Sequence, residues 1–354
     1  CRNLPPKGNV SSANGAWTAT EHTRHIGGVI LSLPPLIRRA RTRVPAPLLL
    51  VASMVLLHTG SAVAVHLFAS AGPLGITWLR LSWAALLLAA VGGRPLLRAV
   101  RAATWSDIAA TAALGVVSAG MMVMFSLATD RIPLGTAAAV EFLGPLTVAV
   151  LALRRPRELL WVLLAAAGVL LLTRPWQGGA DLLGVAFGLT GAACVALYIV
   201  FSQAVGSRLG VLPGLTLAMT VSALVTAPLG MPAAVAAADG RLLAATLALA
   251  LIHPLLPLLL EMAALQRMSR GAFSVLGSVD PAVGLLMGLL LIGQVPAAVQ
   301  LAGMALVVAA GLGATRGPGA GRRGAGPRGR RAAPRLRDAS ARQRPGAERH
   351  PAPV

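Results

Sequence analysis

A few ionisable side chains inside long apolar runs are the residues of this chain that could do chemistry. They are His58, His66, Arg80, Glu141, His253, Glu261 and Asp280. In hydrocarbon, an acid or an arginine at the centre of a helix costs about 2.5–3.5 kcal/mol on the insertion scale, so each needs a partner or a hydrated cavity. Such residues are therefore candidates for binding a substrate or a proton.

Glu141 lies near the middle of an apolar run from Pro133 to Leu153, and Pro145 follows it four residues later. Proline has no N–H, so the helical bond from residue 145 to the carbonyl of Glu141 cannot form. Gly144 and Pro145 thus predict a helix break beside a carboxyl group. Two interpretations stay open: a structural kink with its Glu satisfied by a neighbouring helix, or a hydrated binding site.

The same pattern recurs later in the chain. A shift of 136 residues aligns three pairs: Arg131 with Arg267, Gly135 with Gly271, and Pro145 with Pro281. Pro281 frees the carbonyl of Gly277, and Asp280 supplies a carboxyl group one position before the proline. Corresponding broken helices in two halves of a membrane protein indicate a transporter binding site.

Three further residues join this candidate site. Arg80 is a counter-charge for the acids or a receptor for a substrate carboxylate; a structural ion pair or a snorkelling side chain is the alternative. His253 and Glu261 lie eight residues apart around a helix break predicted at Pro257. A kinked helix with a polar contact explains them better than a metal site, for which further ligands are missing. His58 and His66 are expected to be packing residues.

The composition places these residues in a membrane. The chain is 56% hydrophobic and only 12% charged, whereas soluble domains carry about 25% charged residues. Its net charge of +20 does not indicate nucleic-acid binding, because eleven of the 31 basic residues follow Thr315 and most others flank apolar runs. We therefore expect an all-α integral membrane protein with no cofactor and no metal.

Ten apolar segments are predicted to span the bilayer. They are 47–68, 74–92, 107–128, 133–153, 159–174, 182–203, 212–230, 242–264, 271–292 and 296–314. The two copies of the broken helix are the fourth segment of each half. Since each half has an odd number of crossings, the second copy enters from the opposite side, and the fold is two inverted five-helix repeats.

Basic residues in the links predict the orientation. Of the alternate links, three carry two or three arginines, as at Arg94, Arg98 and Arg101, and one carries only Arg208, while the links between them carry one or none. The positive-inside rule then puts both termini in the cytoplasm of a bacterial inner membrane.

Four domains follow from this pattern. Residues 44–178 form the first repeat and 179–315 the second. Residues 1–43 form a disordered basic segment, of which 1–28 are expected to lie upstream of the true translation start. Residues 316–354 form a disordered basic cytoplasmic tail.

The motifs resemble a known family. Ala-Val-Glu-Phe-Leu-Gly-Pro-Leu at 139–146 is similar to the fourth-helix motif of EamA-type carriers in the drug/metabolite transporter superfamily, more narrowly the threonine/homoserine exporter type. The runs 256–265 and 280–282 resemble the eighth and ninth helices of that type, and 78–81 its second. The chain departs from this family at two helix ends. A Gly-Glu pair commonly closes the fourth and ninth helices, but this chain has Arg154-Arg155-Pro156-Arg157-Glu158 and Gly293-Gln294 there.

The resemblance implies a secondary transporter that exports small metabolites, such as threonine or homoserine, by alternating access. Its partners are then a small-molecule substrate, the lipid bilayer and protons as the coupling ion. The alternatives are an integral-membrane enzyme, for which the chain lacks the usual catalytic motifs, and a membrane scaffold or sensor that uses the basic tail.

Overall fold

The computed structural model describes residues 44–153, 159–174, 176, 181–265 and 267–316, and every regular element in these ranges is helical. Several expectations lie outside the described residues: the segment 1–43, the basic link 154–157, the repeat boundary at 178 and the tail beyond Arg316.

The helices are named here in chain order. They are α1 (Ala46–Ala102), α2 (Trp105–Thr129), α3 (Leu134–Glu141), α4 (Leu143–Leu153), α5 (Leu159–Thr173), α6 (Leu182–Leu209), α7 (Val211–Ala236), α8 (Gly240–Ala250), α9 (Leu256–Leu265), α10 (Arg270–Gly277), α11 (Asp280–Met287) and α12 (Ala298–Arg316). Two π-helical turns, Leu251–Leu255 and Gly288–Ile292, follow α8 and α11.

The 57 residues of α1 do not form one straight rod. Gly72 has φ 68° and ψ 167°, a backbone conformation that glycine adopts without a steric penalty. Trp83 donates to Thr246, and Ser61 contacts His253. Residues 246 and 253 lie about 10 Å apart along a helix, whereas 61 and 83 in a straight helix would be about 33 Å apart. The two arms of α1 therefore reverse direction at Gly72.

By length and hydropathy, eight helices within the described ranges could cross a membrane. The first and second predicted spans fall together in Ala46–Gly93, and the fifth, Leu159–Thr173, is a shorter apolar helix. Large apolar side chains lie exposed on the outside of the bundle, including Leu86, Leu163, Leu224 and Leu290. A soluble monomer would bury most of such a surface, so this is the surface of a multi-pass membrane protein.

Close helix contacts hold the second half of the chain against the first. Packing of α5 on α12 occurs at Gly168 and Gly303, where an added Cβ would lie 2.6 Å from the carbonyl oxygen across the interface. Similarly, α3 packs on α11, where a Cβ at Gly135 would lie 2.6 Å from the Cα of Leu285. By contrast, α4 and α10 make at most marginal contact.

Candidate functional site

The first interrupted helix ends at Glu141. Phe142 forms a turn, and α4 begins at Leu143 with Pro145 in its first turn. Residues 137–140 are buried, while the Glu141 side chain is partly exposed. Because proline supplies no donor at this turn, the sequence itself accounts for the interruption. The carboxyl group lies at the end of the broken turn.

The second interrupted helix ends at Gly277. Ser278 and Val279 form the turn, and α11 begins at Asp280 with Pro281 next to it. Proline is well tolerated at the start of a helix because the missing N–H would have no intrahelical partner there. Asp280 therefore lies at the N-terminus of a half-helix, where the helix dipole favours a negative charge.

The structure places Asp280 next to a residue of the first arm of α1. Nε2 of His58 lies 3.3 Å from Oδ2 of Asp280, and the His58 side chain is 3% exposed. Neither ring nitrogen has a well-directed hydrogen bond to a described residue. A proton shared between the imidazole and the carboxylate would join α1 to α11.

Glu141 belongs to the same neighbourhood. Asp280 is close enough to Glu141 and to Glu261 for their charges to interact. The Glu141 carboxyl group faces α6, with Oε1 3.6 Å from the position of an added Cβ at Gly191. Within the described residues it makes no hydrogen bond or ion pair. A neighbouring helix therefore does not satisfy Glu141 in this conformation, which leaves the carboxyl group available to a ligand.

Arg80 lies in the second arm of α1 and is 2% exposed. Its Nη2 donates to the sulfur of Met122 at 3.6 Å, and its Nε has no partner among the described residues. No carboxylate in the described ranges lies within 4.0 Å of its guanidinium. The structural ion pair and the snorkelling side chain considered for Arg80 are therefore both absent. A buried, unpaired guanidinium is costly unless an anion reaches it during function.

A cavity of about 170 Å³ lies next to Met122, the residue that Arg80 contacts. Met122 lines it, and so do His253 and Glu261. His253 is 4% exposed and lies within electrostatic range of Arg80. The helix that carries these residues is interrupted at His253, whose backbone is non-helical, and Pro257 lies in the first turn of α9. The helix break thus turns a histidine and a glutamate towards one cavity.

Gln294 makes a contact at the opposite end of the broken helices. Its Oε1 accepts a hydrogen bond from the backbone N–H of Leu134, the first residue of α3, at 2.9 Å. Gln294 and Arg174 line a second cavity of about 200 Å³ there. The glutamine that replaces the customary glutamate therefore still caps the first helix turn, without a negative charge.

Comparison with known proteins identifies the protein family. The EamA-like transporter family matches residues 182–315. The threonine/homoserine exporter RhtA of Escherichia coli K12 is 33% identical over 285 residues, covering 80% of this chain and 95% of the relative. RhtA of Salmonella typhimurium LT2 is 32% identical over the same share of each chain. The chain belongs to the EamA-like transporter family. The resemblance found in the motifs is thereby confirmed.

Two aspects of the site in this EamA protein were not predicted from its sequence. His58 was expected to be a packing residue, yet it contacts Asp280; nothing in the first apolar run signals a partner more than 200 residues away. Tyr198, which lines the cavity with Glu261, also went unnoticed because an aromatic residue in a span is ordinarily lipid-facing or core. His66, by contrast, is exposed and contacts the carbonyl of Leu291.

Metal ligation finds no support within the ranges that the structure describes: no three His, Cys, Asp or Glu side chains cluster there as metal ligands.

Proposed function

We propose that this protein is a secondary active carrier of the bacterial inner membrane that exports small amino acids, such as threonine and homoserine, by alternating access. The first support is the similarity to exporters whose names state these substrates. The second is the buried, unpaired Arg80 beside a cavity that also holds an acid. An α-amino acid brings one carboxylate and one ammonium group, and their counter-charges are Arg80, which contacts the cavity residue Met122, and Glu261 in the cavity.

Ten crossings complete the proposed architecture. Counting the two arms of α1 separately, and including the short helix Leu159–Thr173, raises the eight long spans to ten. Two inverted repeats, 44–178 and 179–315, then contain five helices each. Arginine-rich links place both termini in the cytoplasm.

One group of side chains binds the substrate, and a second group exchanges protons. Arg80 receives the substrate carboxylate, assisted by His253, and Glu261 receives the ammonium group. Glu141 and Asp280, with His58, exchange protons, so that one direction of the cycle carries protons inward while the other carries substrate outward. Charged residues at the midplane between repeats are where coupling is expected in such folds.

The packing of the broken helices supports an inward-facing state. The half-helices α3 and α11 are in close contact, and Gln294 closes the same end. The other halves, α4 and α10, make at most marginal contact. Rocking of one repeat against the other would exchange which pair of half-helices is in contact.

Counterflow in proteoliposomes tests the proposal. Purified protein is reconstituted with unlabelled threonine inside, and entry of labelled threonine is followed. Arg80→Met should reduce counterflow by about 100-fold, equivalent to about 2.7 kcal/mol, without loss of membrane abundance. Arg98→Met, which changes an exposed arginine, is the matched control. Wild-type protein that exchanges no amino acid, or full activity in Arg80→Met, contradicts the proposal.

A further inference from the structure

The cavity beside Arg80 has two chemically different walls. We define the polar wall as Tyr198, His253 and Glu261. We define the methionine wall as Met121 and Met122 of α2 with Met219 of α7. Met122 and Met219 are buried in one apolar cluster with Leu81 and Leu88. A bound molecule therefore meets three polar side chains and an otherwise apolar lining that is rich in methionine.

The cavity has few polar side chains, so each can be assigned to one of the charged groups of an amino acid. Of the described side chains that line the cavity, only Tyr198, His253 and Glu261 carry nitrogen or oxygen, and Arg80 stands behind Met122. The carboxylate uses the imidazole of His253, which lies within electrostatic range of Arg80. The ammonium group, with three donors, uses Glu261 and the Tyr198 hydroxyl. A hydroxyl on the substrate side chain then has no side-chain partner left.

The volume of the cavity and the flexibility of its methionine side chains also favour a small apolar substrate side chain. A volume of about 170 Å³ is below the roughly 300–1,000 Å³ of pockets for drug-sized ligands. Methionine is unbranched and polarizable, so it adapts to apolar groups of different shape. The methionine wall thus accommodates a small aliphatic side chain, branched or straight.

We infer that the preferred cargo is an α-amino acid with an apolar aliphatic side chain, with its hydroxylated isosteres as weaker substrates. This inference rests on the proposed function and specifies its substrate class. A buried hydroxyl without a partner is penalised, although an apolar pocket rejects an added hydroxyl only moderately. The expected preference is therefore about tenfold.

Two isosteric pairs provide the test on the wild-type protein. Valine is compared with threonine, and norvaline with homoserine, as competitors of labelled-substrate counterflow in proteoliposomes. Each apolar member should compete at about tenfold lower concentration than its hydroxylated partner. Equal competition, or better competition by threonine and homoserine, overturns the inference while leaving amino-acid transport in place. If none of these four amino acids takes part in counterflow, the proposed function itself is refuted.

Substitution of Met121, which is only partly buried, locates the preference at this wall. Met121→Thr should shrink the valine-to-threonine ratio at least threefold, because the new hydroxyl can pair with that of the substrate. Met121→Leu keeps the wall apolar and should preserve the ratio. Met231→Thr, at an exposed methionine outside the cavity, should also preserve it. An unchanged valine-to-threonine ratio in Met121→Thr overturns the assignment of the preference to the methionine wall. If Met121→Thr does not fold, the two isosteric pairs on the wild-type protein decide the inference.

Discussion

The two interrupted helices place their acids on opposite sides of the break. In the first, Glu141 is the last residue of α3, and the turn at Phe142 follows it. In the second, Asp280 is the first residue of α11, after the turn at Ser278 and Val279. The shift of 136 residues that aligns the two prolines pairs Glu141 with Gly277, where an added Cβ would meet nothing within 4 Å.

The surroundings of the two breaks differ as well. Residues 137–140 before the first break are almost fully buried against neighbouring helices. Before the second break, Ala272 and Ser274 are exposed. Helices α3 and α11, one half of each interrupted helix, pack closely on each other. The other two halves, α4 and α10, make at most marginal contact.

This difference teaches how two acids come together from copies of one motif. Helices α3 and α11 meet, so an acid at the end of α3 and an acid at the start of α11 lie on the same side of the bundle centre. Two acids at equivalent repeat positions would not be arranged in this way. Sequence equivalence and spatial equivalence are therefore different things in this protein.

The largest expected effect tests the acid of the first break. Glu141→Gln should lower transport driven by an imposed pH gradient by about 100-fold or more, equivalent to about 2.7 kcal/mol, because the amide cannot carry the exchanged proton. Membrane abundance should stay near that of the wild type, since no structural partner is lost. Asp130→Asn changes an exposed acid and serves as the control. Unimpaired transport by Glu141→Gln would remove Glu141 from the mechanism.

The second effect tests the acid of the second break. Asp280→Asn and His58→Gln should each reduce transport driven by an imposed pH gradient by about tenfold, because each removes half of one proton-sharing pair. The double variant should be no worse than either single variant, as expected for residues in contact. Losses that simply add would show that His58 and Asp280 act independently.

A smaller effect concerns the contact between the half-helices. Gly135→Ala should lower stability by about 1–3 kcal/mol, because the new methyl group would meet the backbone of Leu285 at 2.6 Å. Gly277→Ala, which meets nothing within 4 Å, should be neutral or stabilising by up to about 1 kcal/mol. Thermal unfolding in detergent measures both. Equal losses in the two variants would contradict the packing difference.

The smallest effect lies outside the membrane-spanning segments. The backbone N–H of Gly184, and secondarily Arg131, lower the pKa of Asp181, and Arg131 lies 3.0 Å from that carboxylate. A lowered pKa contributes stability that is present above the ordinary Asp value of about 3.9 and is lost as pH falls through the lowered pKa. In Asp181→Asn, the free energy of unfolding should therefore fall slightly less than in the wild type as the pH is lowered. Arg131→Gln should show a smaller difference in the same direction. A steeper loss of stability at low pH in Asp181→Asn than in the wild type would contradict this prediction.

Much of the local structure could be predicted because its causes are local. Proline removes a hydrogen bond wherever it stands, so Pro145 and Pro281 indicated where helices are interrupted. The apolar runs indicated the helices themselves, with one difference: the first two runs are joined through Gly72. The motif around Glu141 identified the family, which the similarity to RhtA confirms.

Partner choice could not be predicted in the same way. The sequence predicts that Arg80 either balances an acid or receives a substrate carboxylate, and among the described residues its guanidinium contacts Met122 and pairs with no carboxylate. Tyr198, Met121 and Met219 line a cavity with His253, although they come from separate helices. In an apolar run, hydropathy is nearly uniform around the helix, so the sequence carries little information about which face meets which neighbour.

The sequence by itself determined that this chain spans the membrane, where its helices are interrupted and which few ionisable residues lie inside them, since all three depend on composition and backbone chemistry within one segment. Only the tertiary structure decided that His58 meets Asp280, that Arg80 is left unpaired beside a cavity, and that one pair of half-helices is in contact while the other is apart. These follow from close packing between segments far apart in the chain, where glycines set how near two helices can come.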